Sequence, residues 1–137
     1  MPLVLDTGPL LAALDAADPD HDRCADLIAG ANEDLVVPAL VLAELDYWCH
    51  QRLDGRSWLI FLEDLLQGAY HAMAATSQDL RRCLELQRQY ADQELGVVDA
   101  SILALVERLD EHRLATLDHR HFGVVRPSHV PALELLP

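Results

Sequence analysis

Two aspartates of this sequence stand where an α/β protein commonly places its ligands. Asp6 follows a short apolar run at residues 3–5, and Asp118 follows a similar run at 113–117. Both runs have the length and composition of buried strands. If these strands are parallel neighbours, their carboxyl ends meet at one rim of the sheet, where the ligand sites of open α/β sheets collect. Asp6 and Asp118 are therefore candidates for one shared site.

Glu44 is a third candidate because it lies on the apolar face of a predicted helix. In a helix over residues 39–54, Trp48 and two aliphatic side chains lie within about 60° of Glu44. A buried carboxylate needs a partner, since an unpaired buried charge is costly. The chain has no lysine, and Arg52 is the nearest arginine in this helix. The partner is therefore a metal ion, an arginine from elsewhere in the fold, or solvent at a partly exposed rim.

Asp99 is the fourth candidate, at the start of another helix. It directly follows Val98, where the apolar stripe of a predicted helix over residues 97–110 begins. Taken alone, Asp99 is equally suited to complement the helix dipole, and Asp6 and Asp118 to cap turns. Taken together, the four carboxylates would repel one another unless cations neutralise them. Oxygen ligands of this kind favour Mg²⁺ or Mn²⁺ over zinc.

The rest of the chain alternates between strand and helix signals, which predicts the scaffold that positions these residues. Two further strands are predicted, at 35–37 and, more weakly, at 69–74. Such alternation is typical of a short, mainly parallel central sheet covered by helices on both faces, a three-layer α/β/α sandwich. After residue 122 the chain has only short apolar runs between prolines. Helices are predicted at about 9–14, 20–31, 39–54, 58–65, 76–90 and 97–110.

The composition limits the size and the function of the protein. The chain has 137 residues, of which 51% are apolar, so we expect one domain over residues 1–137 with a buried core. Without lysine, and with its six glycines all isolated, the chain cannot build a P-loop, a lysine Schiff base or a glycine-rich phosphate cradle. A net charge of −13 also repels nucleic acid unless cations occupy the binding site.

The cysteines and the apolar runs indicate where the protein acts. Cys24, Cys49 and Cys83 have no CxxC spacing, and no signal peptide precedes the first strand. They are interpreted as buried thiols of a cytoplasmic protein. The apolar runs are far shorter than the roughly 20 residues that span a bilayer, so no membrane partner is expected.

Four short segments resemble the acidic motifs of the PIN-domain family. More narrowly, they resemble the VapC-type ribonuclease toxins of bacterial type II toxin–antitoxin pairs. The resemblance runs from Leu3 to about Phe122, with Gly8 at a position where many relatives have serine. The segments are, in chain order, 4–8 (VLDTG), 43–44 (AE), 96–101 (GVVDAS) and 115–122 (ATLDHRHF).

The resemblance implies a role for each of the four carboxylates. It implies that Asp6, Glu44, Asp99 and Asp118 form an acidic catalytic pocket. Asp6 and Asp99 are the implied direct ligands of Mg²⁺ or Mn²⁺. Thr116, in the Thr-x-Asp of the fourth motif, is implied to orient the pocket.

Three residues within the fourth motif are interpreted from their positions, given the RNA substrate that the resemblance implies. Arg120, two residues after Asp118, is predicted to contact RNA at the rim of the pocket, the alternative being a solvated turn arginine. His119 and His121 flank it and are interpreted as surface turn residues, because a zinc site would need a third ligand.

The resemblance further implies a metal-dependent endoribonuclease that acts as the toxin of a toxin–antitoxin pair. Its implied partners are RNA, a VapB-type antitoxin and a second copy in a homodimer. One alternative is a PIN fold that binds RNA or protein without cleaving RNA. Another is an aspartic peptidase, since Asp6-Thr7-Gly8 also matches the motif of that class. That fold is nearly all β and rich in glycine, whereas this chain has clear helical stripes.

Overall fold

The computed structural model describes residues 1–137 and contains one sheet of five parallel strands. Their order across the sheet is β3-β2-β1-β4-β5, and every neighbouring pair is parallel. The central strand β1 has all three residues buried, as expected for a strand that helices cover on both faces. The strands are β1 (Leu3–Leu5), β2 (Leu35–Pro38), β3 (His71–Met73), β4 (Arg113–Ala115) and β5 (Glu134–Leu136).

Seven α-helices connect the strands and complete the predicted three-layer α/β/α sandwich. Helix α1 packs against α2 and α3, while α5 packs against α6. None of the helices combines the length and the hydropathy that crossing a membrane requires. The helices are α1 (Thr7–Leu14), α2 (His21–Ala29), α3 (Ala39–Arg52), α4 (Gly55–Leu66), α5 (Ser77–Gln89), α6 (Val97–Arg108) and α7 (His119–Val124).

Helix α6 is the most deeply buried helix and holds one end of the candidate site. Its residues from Ala100 to Val106 are all buried, and they contribute to both apolar clusters of the core. The far end of α6 is fixed to α5, because Arg108 donates to the buried carboxylate of Asp79 (Nε–Oδ1 3.0 Å). The first turn of α6, which carries Asp99, therefore belongs to a rigid element.

The order of strands and helices agrees with the prediction up to Ala115, where β4 ends two residues earlier than expected. Asp118 therefore does not directly follow a strand, as the sequence had suggested. The reason is a turn in which the hydroxyl of Thr116 accepts a hydrogen bond from the Asp118 N–H (3.0 Å). Asp118 lies past this turn and begins α7.

The two elements α7 and β5 were not predicted. Helix α7 has only six residues, too few for an apolar stripe, and the side chain of Asp118 caps it. Strand β5 is a three-residue edge strand that pairs with β4, and the prolines around it concealed the strand signal. By contrast, the weak signal at 69–74 does form β3, and all three cysteines are free and buried as predicted.

Candidate active site

The carboxyl ends of β1 and β4 meet at one rim of the sheet, as predicted. Leu5 lies opposite Ala115, and the next N–H, that of Asp6, donates to the Ala115 carbonyl (2.9 Å). Helices α3 and α6 reach the same rim, so that all four predicted carboxylates face one open cleft of about 560 Å³. The cleft is lined by Asp6, Thr7, Gly8, Leu11, Asp18, Glu44, Trp48, Arg52, Asp99, Leu117, Asp118 and His121.

Asp6 is almost fully buried, and both its carboxylate oxygens accept hydrogen bonds. It is the N-cap of α1, where Oδ1 accepts from the Thr7 N–H (2.7 Å) and Oδ2 accepts from the Thr116 hydroxyl (2.8 Å). Burial raises the pKa of Asp6, as do the charges of Glu44 and Asp118, and the two hydrogen bonds offset only part of this rise. Asp6 is therefore fixed in orientation but poorly compensated in charge.

Thr116 joins two of the acidic residues through one hydroxyl. Its side chain is completely buried, donates to Asp6 and accepts from the backbone N–H of Asp118. A hydroxyl can do both at once because it has one donor and two acceptor lone pairs. The ends of β1 and β4 are thus held together at the position where the two aspartates enter the cleft.

Glu44 has a hydroxyl as its immediate partner. The Thr7 side chain donates to Glu44 Oε1 at 2.5 Å, and no arginine pairs with this carboxylate. Glu44 is half-buried in the cleft wall, as its place on the apolar stripe of α3 predicted. Its second oxygen, Oε2, accepts no hydrogen bond from the protein and is free to act toward a ligand.

Asp99 has the least favourable surroundings of the four. It lies half-buried in the first turn of α6, and its carboxylate accepts no hydrogen bond from the protein. Burial, followed by the charges of Asp6, Asp118 and Glu44, raises the pKa of Asp99 to about 7. The charge of His121 opposes this rise but does not cancel it, so Asp99 stays poorly compensated, which is the condition that a bound divalent cation would relieve.

Asp118 and His121 form a pair across the start of α7. Asp118 Oδ1 accepts from the His121 N–H (3.0 Å), and Oδ2 lies 2.7 Å from His121 Nδ1. Burial tends to raise the pKa of Asp118, but the hydrogen bonds from His121 outweigh it, so the pKa is lowered. The hydrogen bond to Asp118 in turn raises the pKa of His121. Asp99, Asp118 and His121 each offer one ligand atom, and these atoms lie within 4.8 Å of one another.

The interpretation of His121 as a surface turn residue is wrong, because it lies in α7 and lines the cleft. The sequence signal for this role of His121 is that Asp118 can cap a helix. A helix cap places the residue three positions later beside the capping carboxylate. His119 is exposed and does not line the cleft, although it too lies in α7 rather than in a turn.

The arginine that lines the cleft is not the one that the sequence suggested. Arg120 is exposed on α7 and does not line the cleft, although its charge adds, after the contacts from His121, to the lowered pKa of Asp118. Arg52, at the end of α3, lines the cleft instead. Its place could have been read from the helical period, since Arg52 follows Glu44 by eight residues on the same face.

The fold is that of the PIN domain, whose family model matches residues 3–126. The chain belongs to the PIN-domain family. It is also similar to Ribonuclease VapC26 of Mycobacterium tuberculosis, with 34% identity over 125 residues that cover 91% of this chain and 93% of that protein. The resemblance seen in the four acidic segments is thereby confirmed.

Solved structures share the same fold at lower identity. VapC20 of Mycobacterium tuberculosis, described as a toxin that cleaves the sarcin–ricin loop, superposes with a TM-score of 0.82 and 18% identity, covering 93% of this chain and 98% of that one. A chain of VapBC2 from Rickettsia felis, solved with a promoter DNA fragment, gives a TM-score of 0.72 at 19% identity with 100% of both chains covered. An aspartic peptidase is excluded, because its nearly all-β fold is not the fold of this chain.

Proposed function

We propose that this protein is a metal-dependent endoribonuclease that acts as the toxin of a toxin–antitoxin pair. The observation that carries the proposal is the convergence of four carboxylates in one cleft, with Asp99 lacking any hydrogen-bond donor. Two similar proteins, one named a ribonuclease and the other described as an RNA-cleaving toxin, support it. A cluster with so little positive charge is suited to a divalent cation and, through it, to a phosphate.

The residues that would hold the metal are Asp6 and Asp99, with Asp118 beside them. Carboxylate oxygens are the ligands that Mg²⁺ and Mn²⁺ prefer, and Asp99 has both oxygens free. When bound, such an ion lowers the pKa of a water molecule and stabilises charge on the scissile phosphate. Asp6 keeps one orientation because the Thr7 N–H and the Thr116 hydroxyl hold its two oxygens.

Glu44 and Thr7 have a separate task in this proposal. The Thr7 hydroxyl fixes Glu44 Oε1, which leaves Oε2 of this cleft-lining residue as an acceptor for the attacking water. Neither a serine nor a cysteine nucleophile is needed, since the oxygen of water would bond to the phosphorus while the bridging P–O bond breaks and the departing ribose oxygen takes up a proton. In this proposal Asp6 and Asp99 hold the ion, Glu44 accepts from the attacking water, and Asp118 keeps His121 beside the metal ligands.

We extend the proposal to the partners of the protein. The VapBC2 chain above comes from a complex with DNA, and a VapB-type antitoxin is the corresponding partner proposed for this chain. A net charge of −13 attracts a basic inhibitory segment. A homodimer of a single domain over residues 1–137, acting on RNA in the cytoplasm, completes the proposal. Arg120, exposed near Asp118, is proposed as an RNA contact outside the cleft.

Incubation of the purified protein with total RNA tests the proposed function. With MnCl₂ or MgCl₂ we expect cuts at a small number of sites, which sequencing of the new 5′ ends would map. EDTA should abolish every cut, because the carboxylates alone supply no Lewis acid to activate water and stabilise charge on the phosphate. RNA that is bound but left intact in both metals would instead identify a non-catalytic RNA-binding module. RNA that is neither bound nor cut would reject the RNA substrate.

Replacing Thr116 by valine is expected to reduce cleavage by about 10- to 100-fold, the usual effect of removing a group that orients a metal ligand. Valine has the same shape but neither donates to Asp6 nor accepts from the Asp118 N–H. Thr116→Ser keeps the hydroxyl and serves as the matched control, with expected activity close to wild type. The kcat/KM of the two variants on one mapped RNA checks this, and equal values would contradict the orienting role.

A further inference from the structure

Three residues of helix α3 form a row along the cleft wall. Glu44, Trp48 and Arg52 follow one another at intervals of four, so they lie on one face of the helix, and all three line the cleft. At 1.5 Å per residue, Arg52 lies about 12 Å further along the helix axis than Glu44. The row therefore leads from the carboxylates to the outer rim of the cleft.

Trp48 provides a fixed support for the side chain of Arg52. The guanidinium carbon of Arg52 lies 4.7 Å from the centre of a Trp48 ring, a favourable cation–π distance. Trp48 is itself half-buried against the apolar core, and the ring of Tyr47 meets it edge-on at 5.1 Å. The guanidinium thus has a supported position, although the residue is exposed.

Arg52 is also the permanent positive charge of the cleft. Of the ten arginines, it is the one that lines the cleft, and the other charged residues there are five acids and His121. Arg52 forms no ion pair with these acids, so its N–H groups remain available to a ligand. A guanidinium presents two parallel N–H groups to phosphate oxygens, which makes it well suited to bind them.

We propose that Arg52, supported by Trp48, binds a backbone phosphate of single-stranded RNA next to the scissile phosphate. This inference rests on the proposed ribonuclease function and adds a second anchoring point for the substrate. Because the contact is to the backbone, it contributes affinity and alignment but no sequence preference. Because Arg52 lies about 12 Å along α3 from Glu44, it is assigned to a flanking phosphate, whereas the carboxylates act on the phosphate that is cut.

Binding of a fluorescein-labelled 12-nucleotide RNA of random sequence, followed by fluorescence anisotropy, tests the proposal. The full-length chain carrying Asp99→Asn is used in these titrations so that the probe stays intact. Adding Arg52→Gln should weaken binding about tenfold and reduce the slope of log K against log salt by about 0.7, the value for one phosphate contact on a single strand. Arg52→Lys keeps the charge but not the paired N–H groups, so about threefold weaker binding with an unchanged slope is expected.

Arg88→Gln is the matched control because Arg88 is exposed on α5, outside the cleft, and has no ion pair. It removes the same charge and should change binding less than twofold.

In the active chain, Arg52→Gln should raise KM about tenfold with little change in kcat, as expected when binding is lost equally in the ground and transition states. The Tm values of both variants should stay near that of wild type.

The outcomes separate this inference from the function on which it rests. If the wild-type chain cuts RNA and Arg52→Gln binds the probe with unchanged affinity and salt dependence, the phosphate contact is rejected and the ribonuclease function stands. A loss confined to kcat, or a loss equal to that of Arg88→Gln, rejects the contact as well. If the wild-type chain neither binds nor cuts RNA, the proposed function fails and the contact fails with it.

Discussion

Asp99→Asn is expected to reduce RNA cleavage by about a thousandfold or more, equivalent to about 4 kcal/mol of transition-state stabilisation. The amide has the same shape as the carboxylate but carries no charge, so it is a poor ligand for Mg²⁺ or Mn²⁺. The fold should survive, because the Asp99 carboxylate accepts no hydrogen bond that the substitution could remove. Single-turnover cleavage of a mapped RNA at saturating metal measures the effect.

Asp92→Asn is the matched control for this substitution. Asp92 is exposed in the short turn before α6 and lies outside the cleft, so the change removes one negative charge without touching the site. Its activity should remain within about twofold of wild type, as for most exposed positions. Cleavage by Asp99→Asn at the rate of this control would refute the assignment of the four acids.

The second large effect concerns the stability of the metal-free protein at different pH values. The pKa of Asp99 is 3.8 in the unfolded reference and about 7 in the folded chain, so the folded chain holds the proton more tightly. The contribution of Asp99 to the free energy of unfolding is therefore fully present below pH 3.8 and is lost as the pH rises to about 7. The size of the pKa shift limits the loss in the free energy of unfolding to about 4 kcal/mol. Solvent screening of this half-buried group reduces the expected loss to about 1–2 kcal/mol.

Thermal unfolding in EDTA at a series of pH values measures this loss, and Asp99→Asn should reduce it, leaving the contributions of Asp6 and His121, whose pKa values are also raised. Addition of Mn²⁺ at pH 8 should then restore stability, by about 2.7 kcal/mol at a hundredfold excess over Kd, or about 8 °C in Tm for a chain of this size. Below pH 7 the metal should bind less tightly, since it must displace the Asp99 proton. An equal rise in Tm for wild type and Asp99→Asn would show that the metal binds elsewhere.

The scaffold of the site was predictable because each acidic residue is tied to a local signal. Asp6 follows a buried run, Glu44 lies on an apolar stripe and Asp99 opens a helix, and these patterns depend on neighbours in the sequence. The contact between Thr7 and Glu44 was not predictable, because it depends on how α1 and α3 pack against each other.

The neighbourhood of Asp118 illustrates the other limit of sequence patterns. A turn at Thr116 moves Asp118 away from the end of β4, and the six residues of α7 are too few for a periodic signal. The contact of His121 with Asp118 follows from that short helix, so it was missed for the same reason. Arg120, by contrast, was favoured for its nearness in sequence, which does not bring it into the cleft.

In two of the acidic residues, the same carboxylate both caps a helix and belongs to the proposed catalytic site. Asp6 caps α1 and Asp118 caps α7, so natural selection for folding and selection for activity act on the same carboxylates. An alanine at either position loses the cap, which typically costs about 0.5–2 kcal/mol, whereas asparagine caps a helix nearly as well as aspartate. An inactive alanine variant would therefore not distinguish the loss of a catalytic carboxylate from misfolding. Asparagine is the better substitution for making an inactive variant of this protein.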